Sequence, residues 1–92
     1  MYLALLTMNF KLTGCYSLKE KRSRLRGLKD KFGKNPNLAL SESKFHDDHQ
    51  QAQWQAAVLC ESKITGQQLF EQIRQFVHTV DAELIDSYVE VL

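Results

Sequence analysis

The stretch Tyr2-Leu-Ala-Leu-Leu-Thr-Met-Asn-Phe-Lys-Leu12, halted at Gly14 and followed by Ser17-Leu-Lys-Glu20, decides how the chain folds. Tyr2, Ala4, Leu6, Met8, Phe10 and Leu12 fall on one side of a period of two, and Leu3, Leu5, Thr7, Asn9 and Lys11 on the other. That pattern is a strand with one strongly apolar face. The Ser17 hydroxyl and the Glu20 carboxylate are spaced to satisfy the free amide donors of a starting helix. Leu18, Leu25, Leu28 and Phe32 then recur at spacings of seven, three and four, and Gly33 with Pro36 stops the helix near Phe32.

Outward from this strand and helix the pattern repeats. Leu38 and Leu40 alternate with Ala39 and Ser41 as a short second strand, polar Lys44–Gln53 reads mostly as a loop, and Trp54–Glu61 reads as a third strand. Thr65-Gly-Gln-Gln68 reads as a second capping box, opening a helix whose apolar stripe is Leu69, Ile73, Phe76, Val77 and Val80. Leu84–Leu92 closes the chain as a fourth strand, with Ile85, Val89 and Val91 on one side and Asp86, Tyr88 and Glu90 on the other. The order βαββαβ, with right-handed crossovers, interleaves two βαβ halves into a four-stranded antiparallel sheet with two helices on one face. The expected class is α+β, ferredoxin-like, one domain over 1–92. Its second sheet face would show Leu3, Leu5, Ala57 and Leu59, which is apolar enough to call for a cover, and a second copy of the chain in a homodimer is the leading candidate.

Composition bounds the function. Ninety-two residues with 43% apolar and 25% charged side chains fit one small globular domain. No run approaches the ~20 apolar residues of a membrane span, and Met1–Leu12 lacks the cationic start and cleavage site of a signal peptide, so a cytoplasmic protein is expected. Cys15 and Cys60 match neither a disulfide framework nor a four-ligand zinc pattern and are expected as free thiols. The net charge of +1 hides a division. Residues 1–34 hold nine Lys and Arg against two acids, a balance of +7, while residues 35–92 hold three against nine, a balance of −6. Such a molecule can draw an anionic partner to one side or pair with another copy of itself.

Ser17-Leu-Lys-Glu-Lys-Arg-Ser23 resembles the signature of the YlxP-like family of small bacterial proteins of unknown function, and the likeness extends over essentially the whole chain. A second block, Glu42, Asp47, Gln50 and Ala52, is similar more loosely. His49 stands there where an aromatic is usual, Gln51 where an arginine is usual and Gln55 where a glycine is usual. The resemblance implies a ferredoxin-like fold, dimers, and genes beside those for translation initiation and ribosome maturation factors. It implies no activity.

At about 100° per residue, Lys19, Arg22, Arg26 and Lys29 form one cationic ridge beside the apolar stripe of the first helix, with Arg24 and Lys31 on the opposite flank. A polyanion would relieve the repulsion within such a ridge, so RNA or the ribosome is the expected partner through these four residues. The alternative is a solvated face whose long stems cover the edge of the core, on a homodimeric interaction or scaffold module that binds no nucleic acid. Lys21 falls within the Leu18–Leu25–Leu28 stripe, and Glu42 shares strand parity with Leu38 and Leu40, so a structural Lys21–Glu42 ion pair is expected. His46-Asp-Asp-His49 brings two imidazoles and two carboxylates together, but on a loop without a third block of ligands, and no metal site is assigned. No phosphate loop, nucleophile elbow or zinc-protease helix is present. The expectation is a binding protein rather than an enzyme, without cofactor.

Overall fold

The apolar face of the first strand meets the helices in the expected way. The computed structural model describes residues 1–92. Its elements are β1 (Tyr2–Lys11), α1 (Leu18–Phe32), β2 (Leu38–Lys44), β3 (Gln51–Cys60), α2 (Lys63–Val77) and β4 (Glu83–Val91). The strands lie in the order β2-β3-β1-β4, every neighbouring pair antiparallel. Each βαβ half therefore brackets a strand of the other half, and the chain has the ferredoxin-like α+β fold.

One core forms between sheet and helices. Tyr2, Ala4, Leu6, Met8 and Phe10 from β1 join Ala52, Ala56 and Val58 from β3 in a single buried cluster. The helices close it with Leu25, Leu28 and Phe32 from α1 and Leu69, Phe70, Ile73 and Val77 from α2. Phe32 and Phe76 meet edge to face with ring centroids 5.5 Å apart, which fixes the approach of the two helices. Ser17 caps α1 by accepting from the Glu20 amide at 3.0 Å. The return contact differs from the standard box: Glu20 Oε2 accepts from the amide of Tyr16, one residue before the cap, at 3.2 Å.

Four boundaries depart from the sequence expectation. Residues Lys44 and Gln51–Gln53 belong to strands rather than to the loop, which shrinks to 45–50, because the long β1 offers ladder partners as far as Lys11, opposite Gln51. The polar glutamines there alternate with Ala52, which is buried. The second helix begins three residues earlier than Thr65 would set it: Ser62 is the cap and accepts from the Thr65 amide at 3.2 Å. Val80 lies beyond that helix, since the Thr79 amide and hydroxyl both donate to the Phe76 carbonyl and end the last turn, and Val80 then packs on the core from the following segment. In β4 the register shifts between Asn9 and Phe10, so Ile85 bulges out and Leu84 takes the inward place opposite Phe10. Ile85 is consequently exposed instead of sharing a face with Val89.

The second face of the sheet is open and divided. Leu3 and Leu59 sit directly opposite each other and are 40% and 48% exposed, with Leu5 and Ala57 half-buried beside them. At the other end polar side chains join all four strands in a row. Ser43 donates to Gln53 Oε1 (2.9 Å), Gln53 Nε2 to Asn9 Oδ1 (2.9 Å) and Asn9 Nδ2 to Asp86 Oδ1 (2.7 Å). That row satisfies its own polar groups and ties the sheet together without an apolar cover.

Candidate nucleic-acid interface

Helix α1 turns Leu25, Leu28 and Phe32 into the core, which leaves the next strip of its surface to the cationic ridge. Lys19, Arg22, Arg26 and Lys29 are all exposed, and none has a carboxylate within ion-pair distance. The cations on the other flank are engaged. Arg24 donates to Glu20 Oε1 and to the Thr13 carbonyl, each at 2.9 Å, and lies 3.5 Å from Asp81. The Arg24 guanidinium, together with the Tyr16 amide, holds the Glu20 carboxyl below the usual carboxylate range, and Glu20 in turn raises Arg24. Lys31 lies over the Phe76 ring, 4.9 Å from its centroid.

Three of the four ridge residues, Arg22, Arg26 and Lys29, line a groove of about 550 Å³ between α1 and the β2–β3 edge. Lys19 lies outside it, a turn nearer the helix start. Leu25 and Leu40 supply apolar wall, and Glu42 and Trp54 come from directly opposed positions on β2 and β3. Trp54 Nε1 and Glu42 Oε2 are buried and make no hydrogen bond within the protein. Sequence reasoning did not single out Trp54. The available signal was its inward parity with Ala56 and Val58 at the strand position facing Glu42.

Lys21 lies beside Glu42 with only 2% of its surface exposed. Its Nζ lies 3.0 Å from Glu42 Oε2, but the angle is not that of a hydrogen bond, so the contact is coulombic. The ammonium directs hydrogen bonds to the Phe45 carbonyl (2.8 Å) and the Gln51 carbonyl (3.1 Å). Both carbonyls flank the 45–50 loop, where Phe45 takes a left-handed backbone with φ 65°, unusual for a bulky residue. One buried cation thus fastens the helix to the loop on both sides.

The histidine loop borders a wider, open cleft of about 1320 Å³ at the polar end of the sheet face. Two of its side chains, His46 and Asp48, shape the loop. His46 Nε2 lies 3.0 Å from the Glu42 carbonyl, while Asp48 accepts from the Gln50 amide (2.8 Å) and Gln51 Nε2 (3.0 Å). No group of three or more His, Cys, Asp or Glu side chains converges as a metal-ligand set. Cys15 and Cys60 are both buried free thiols. His78 caps the end of α2, exposed.

The family described as "Protein of unknown function (DUF503)" matches residues 3–89, nearly the whole chain, in agreement with the YlxP-like signature at 17–23. The chain belongs to this family. No curated protein matches it. Among solved structures it is similar to the crystal structure of a provisionally assigned chlorite dismutase, with a TM-score of 0.63 at 10% sequence identity. The likeness covers 99% of this chain and 44% of that one, so the chain spans less than half the length of the structure it matches. At that identity the likeness shows the shared fold alone. No helix of this DUF503 chain is long and apolar enough to cross a membrane.

Proposed function

We propose that this DUF503 protein is a binding module that docks on RNA, free or in the ribosome, through the α1 ridge, and that it carries no catalysis. The supporting observation is the contrast within one helix. Arg24 is held by Glu20 and Asp81, whereas Lys19, Arg22, Arg26 and Lys29 reach solvent with no carboxylate to neutralise them. Like charges stacked at helical spacing cost a few tenths of a kcal/mol per pair, and a phosphate backbone reverses that cost while releasing counterions. The gene neighbourhood implied by the family resemblance points the same way. Arginine forks suit phosphate oxygens, and such contacts position a strand without reading its sequence.

Reversing Arg22, Arg26 and Lys29 to glutamate tests the reading. The expected result is loss of RNA binding at low salt, with the salt slope falling by about 0.7 for each phosphate contact removed from a single strand. Unchanged RNA affinity in that variant refutes it. A second reading, a homodimeric interaction module, is favoured by one observation, the exposed Leu3–Leu59 pair on the open sheet face. Capture of partners from lysate at two salt concentrations, with and without ribonuclease, separates the two. Loss of ribosomal material after ribonuclease supports docking on RNA, and salt-sensitive self-association without nucleic acid supports the scaffold.

A further inference from the structure

The groove beside α1 holds two features that the cationic ridge alone does not explain. Trp54 Nε1 is a buried donor and Glu42 Oε2 a buried acceptor; neither makes a hydrogen bond in the protein, although Oε2 has the Lys21 ammonium 3.0 Å away as a coulombic partner. They arise from residues in direct register across β2 and β3, so their side chains leave the sheet on the same face, about 5 Å apart at Cβ. A buried polar group without a hydrogen bond is costly, and two on side chains that leave the sheet on one face mark a place where one outside group can satisfy both. The group that does so must accept from the indole and donate to the carboxylate. Phosphate oxygens, lacking a proton to give, meet only half of that requirement. A hydroxyl meets all of it.

Arg22, Arg26 and Lys29 line the same groove, where Asp30 is the one carboxylate besides Glu42. A ligand with a hydroxyl a few ångströms from a phosphate fits both sets of groups together. Resting on the RNA reading above, we infer that the α1–β2 groove seats one nucleotide of a single RNA strand, its phosphate on the Arg22–Arg26–Lys29 rim and its ribose 2′-hydroxyl between Trp54 Nε1 and Glu42 Oε2. The groove's volume of about 550 Å³ is of the size that small-molecule sites occupy. Leu25 and Leu40 give the sugar an apolar wall. The rim side chains are exposed and long, and they exchange rotamers within nanoseconds. The 2′-hydroxyl is both donor and acceptor, and it is the group by which proteins tell RNA from DNA. The ridge supplies affinity, and the Trp54–Glu42 pair supplies the choice of RNA.

Trp54 is the sole tryptophan of the chain, so its fluorescence reports on the groove directly. The test compares three labelled single strands of one sequence by anisotropy: RNA, its DNA counterpart with uracil retained, and the 2′-O-methyl RNA. The methylated strand keeps the ribose pucker of RNA but loses the donated hydrogen. The expected result is RNA bound about tenfold more tightly than either of the others, the value of two modest hydrogen bonds at one site. Saturating RNA shifts Trp54 emission and the 2′-O-methyl strand does not. In Trp54→Phe the preference for RNA over DNA is lost. Equal affinity of the wild-type protein for all three strands overturns the inference, whether or not the variant folds. If that equal binding still disappears on reversal of Arg22, Arg26 and Lys29, docking on the nucleic-acid backbone stands and only the seat for the hydroxyl fails. If none of the strands binds at low salt, both readings fall.

Discussion

Lys21 Nζ lies 3.0 Å from Glu42 Oε2, yet it gives its hydrogen bonds to the main-chain carbonyls of Phe45 and Gln51. The residue therefore acts less as half of an ion pair than as a clamp with one charged and two dipolar contacts. This arrangement explains how a lysine can stand in the apolar stripe of α1. Its charge is compensated at the point where β2, the 45–50 loop and β3 meet the helix. Burial of an ammonium is costly unless it is paired and hydrogen-bonded, and here both conditions hold.

Replacing Lys21 by methionine keeps the stem and removes all three contacts. The Glu42 side chain, 21% exposed, retains some access to water, so the loss should lie in the lower part of the range for broken buried pairs, about 3–4 kcal/mol. For a chain of this size each kcal/mol moves the melting temperature by roughly 4–8 °C. Glu42→Gln leaves both carbonyl bonds intact and should cost less. Urea unfolding of the two variants checks the order, and a Lys21→Met protein as stable as the parent would show that the clamp contributes nothing.

Much of this was legible beforehand, and the reasons differ by element. The alternation of Tyr2–Leu12 and the 3–4 spacing of Leu25, Leu28 and Phe32 report burial directly, so strand, helix and their contact follow from pattern alone. The strand character of Gln51–Gln53 was hidden because those residues pair through their backbone with Lys11–Asn9, a long-range partnership that their polar side chains do not announce. The bulge at Ile85 was hidden for a related reason, since a register shift depends on the neighbouring strand and leaves alternation only locally broken. At the groove, the ridge was visible as helical spacing of charge. The Trp54 floor was not, because it needs the pairing of Glu42 with Trp54 across a loop that the polar run Lys44–Gln53 makes look longer than it is.

Gly66 offers a sharper test of packing. A Cβ built there would run into Cδ1 and Cε1 of the Tyr2 ring, which is itself buried. Helix propensity favours alanine over glycine by about 1 kcal/mol in a helix interior. Overpacking against a buried ring costs about 1–3 kcal/mol, so the clash should prevail. Gly66→Ala is expected to lower stability in thermal melts, and a raised melting temperature would show that α2 can lift from β1 without penalty.

The Glu20–Arg24 pair gives a pH dependence whose direction is fixed. With its carboxyl held low by Arg24 and the Tyr16 amide, Glu20 contributes stability that is present above the ordinary glutamate value and is lost as pH falls through its lowered folded value. The pair is on the surface, and its contribution is accordingly small and screened by salt. A carboxyl NMR titration should place Glu20 below the 4.5 of an unperturbed glutamate and return it toward that value in Arg24→Gln. A Glu20 titration indifferent to Arg24 would assign the effect to the Tyr16 amide alone.

The open sheet face bears on assembly through its division into two ends. Leu3 and Leu59, opposed and substantially exposed, form a patch with Leu5 and Ala57, whereas the Ser43–Gln53–Asn9–Asp86 row at the far end already satisfies its polar groups. Burying the apolar end against a second copy releases water from surface worth about 25 cal/mol per Å², and burying the polar end gains little. A homodimer should therefore be offset toward the Leu3–Leu59 end, leaving the polar cleft and the α1 groove on the opposite side of the sheet accessible. Sedimentation equilibrium is expected to give twice the 10.7 kDa chain mass for the native protein and the single chain mass for Leu3→Glu combined with Leu59→Glu. Because the contact is apolar, raising the salt should not dissociate it, in contrast to the RNA docking proposed for α1. A native protein that sediments as a monomer at tens of micromolar would remove the dimer and leave this face to some other partner.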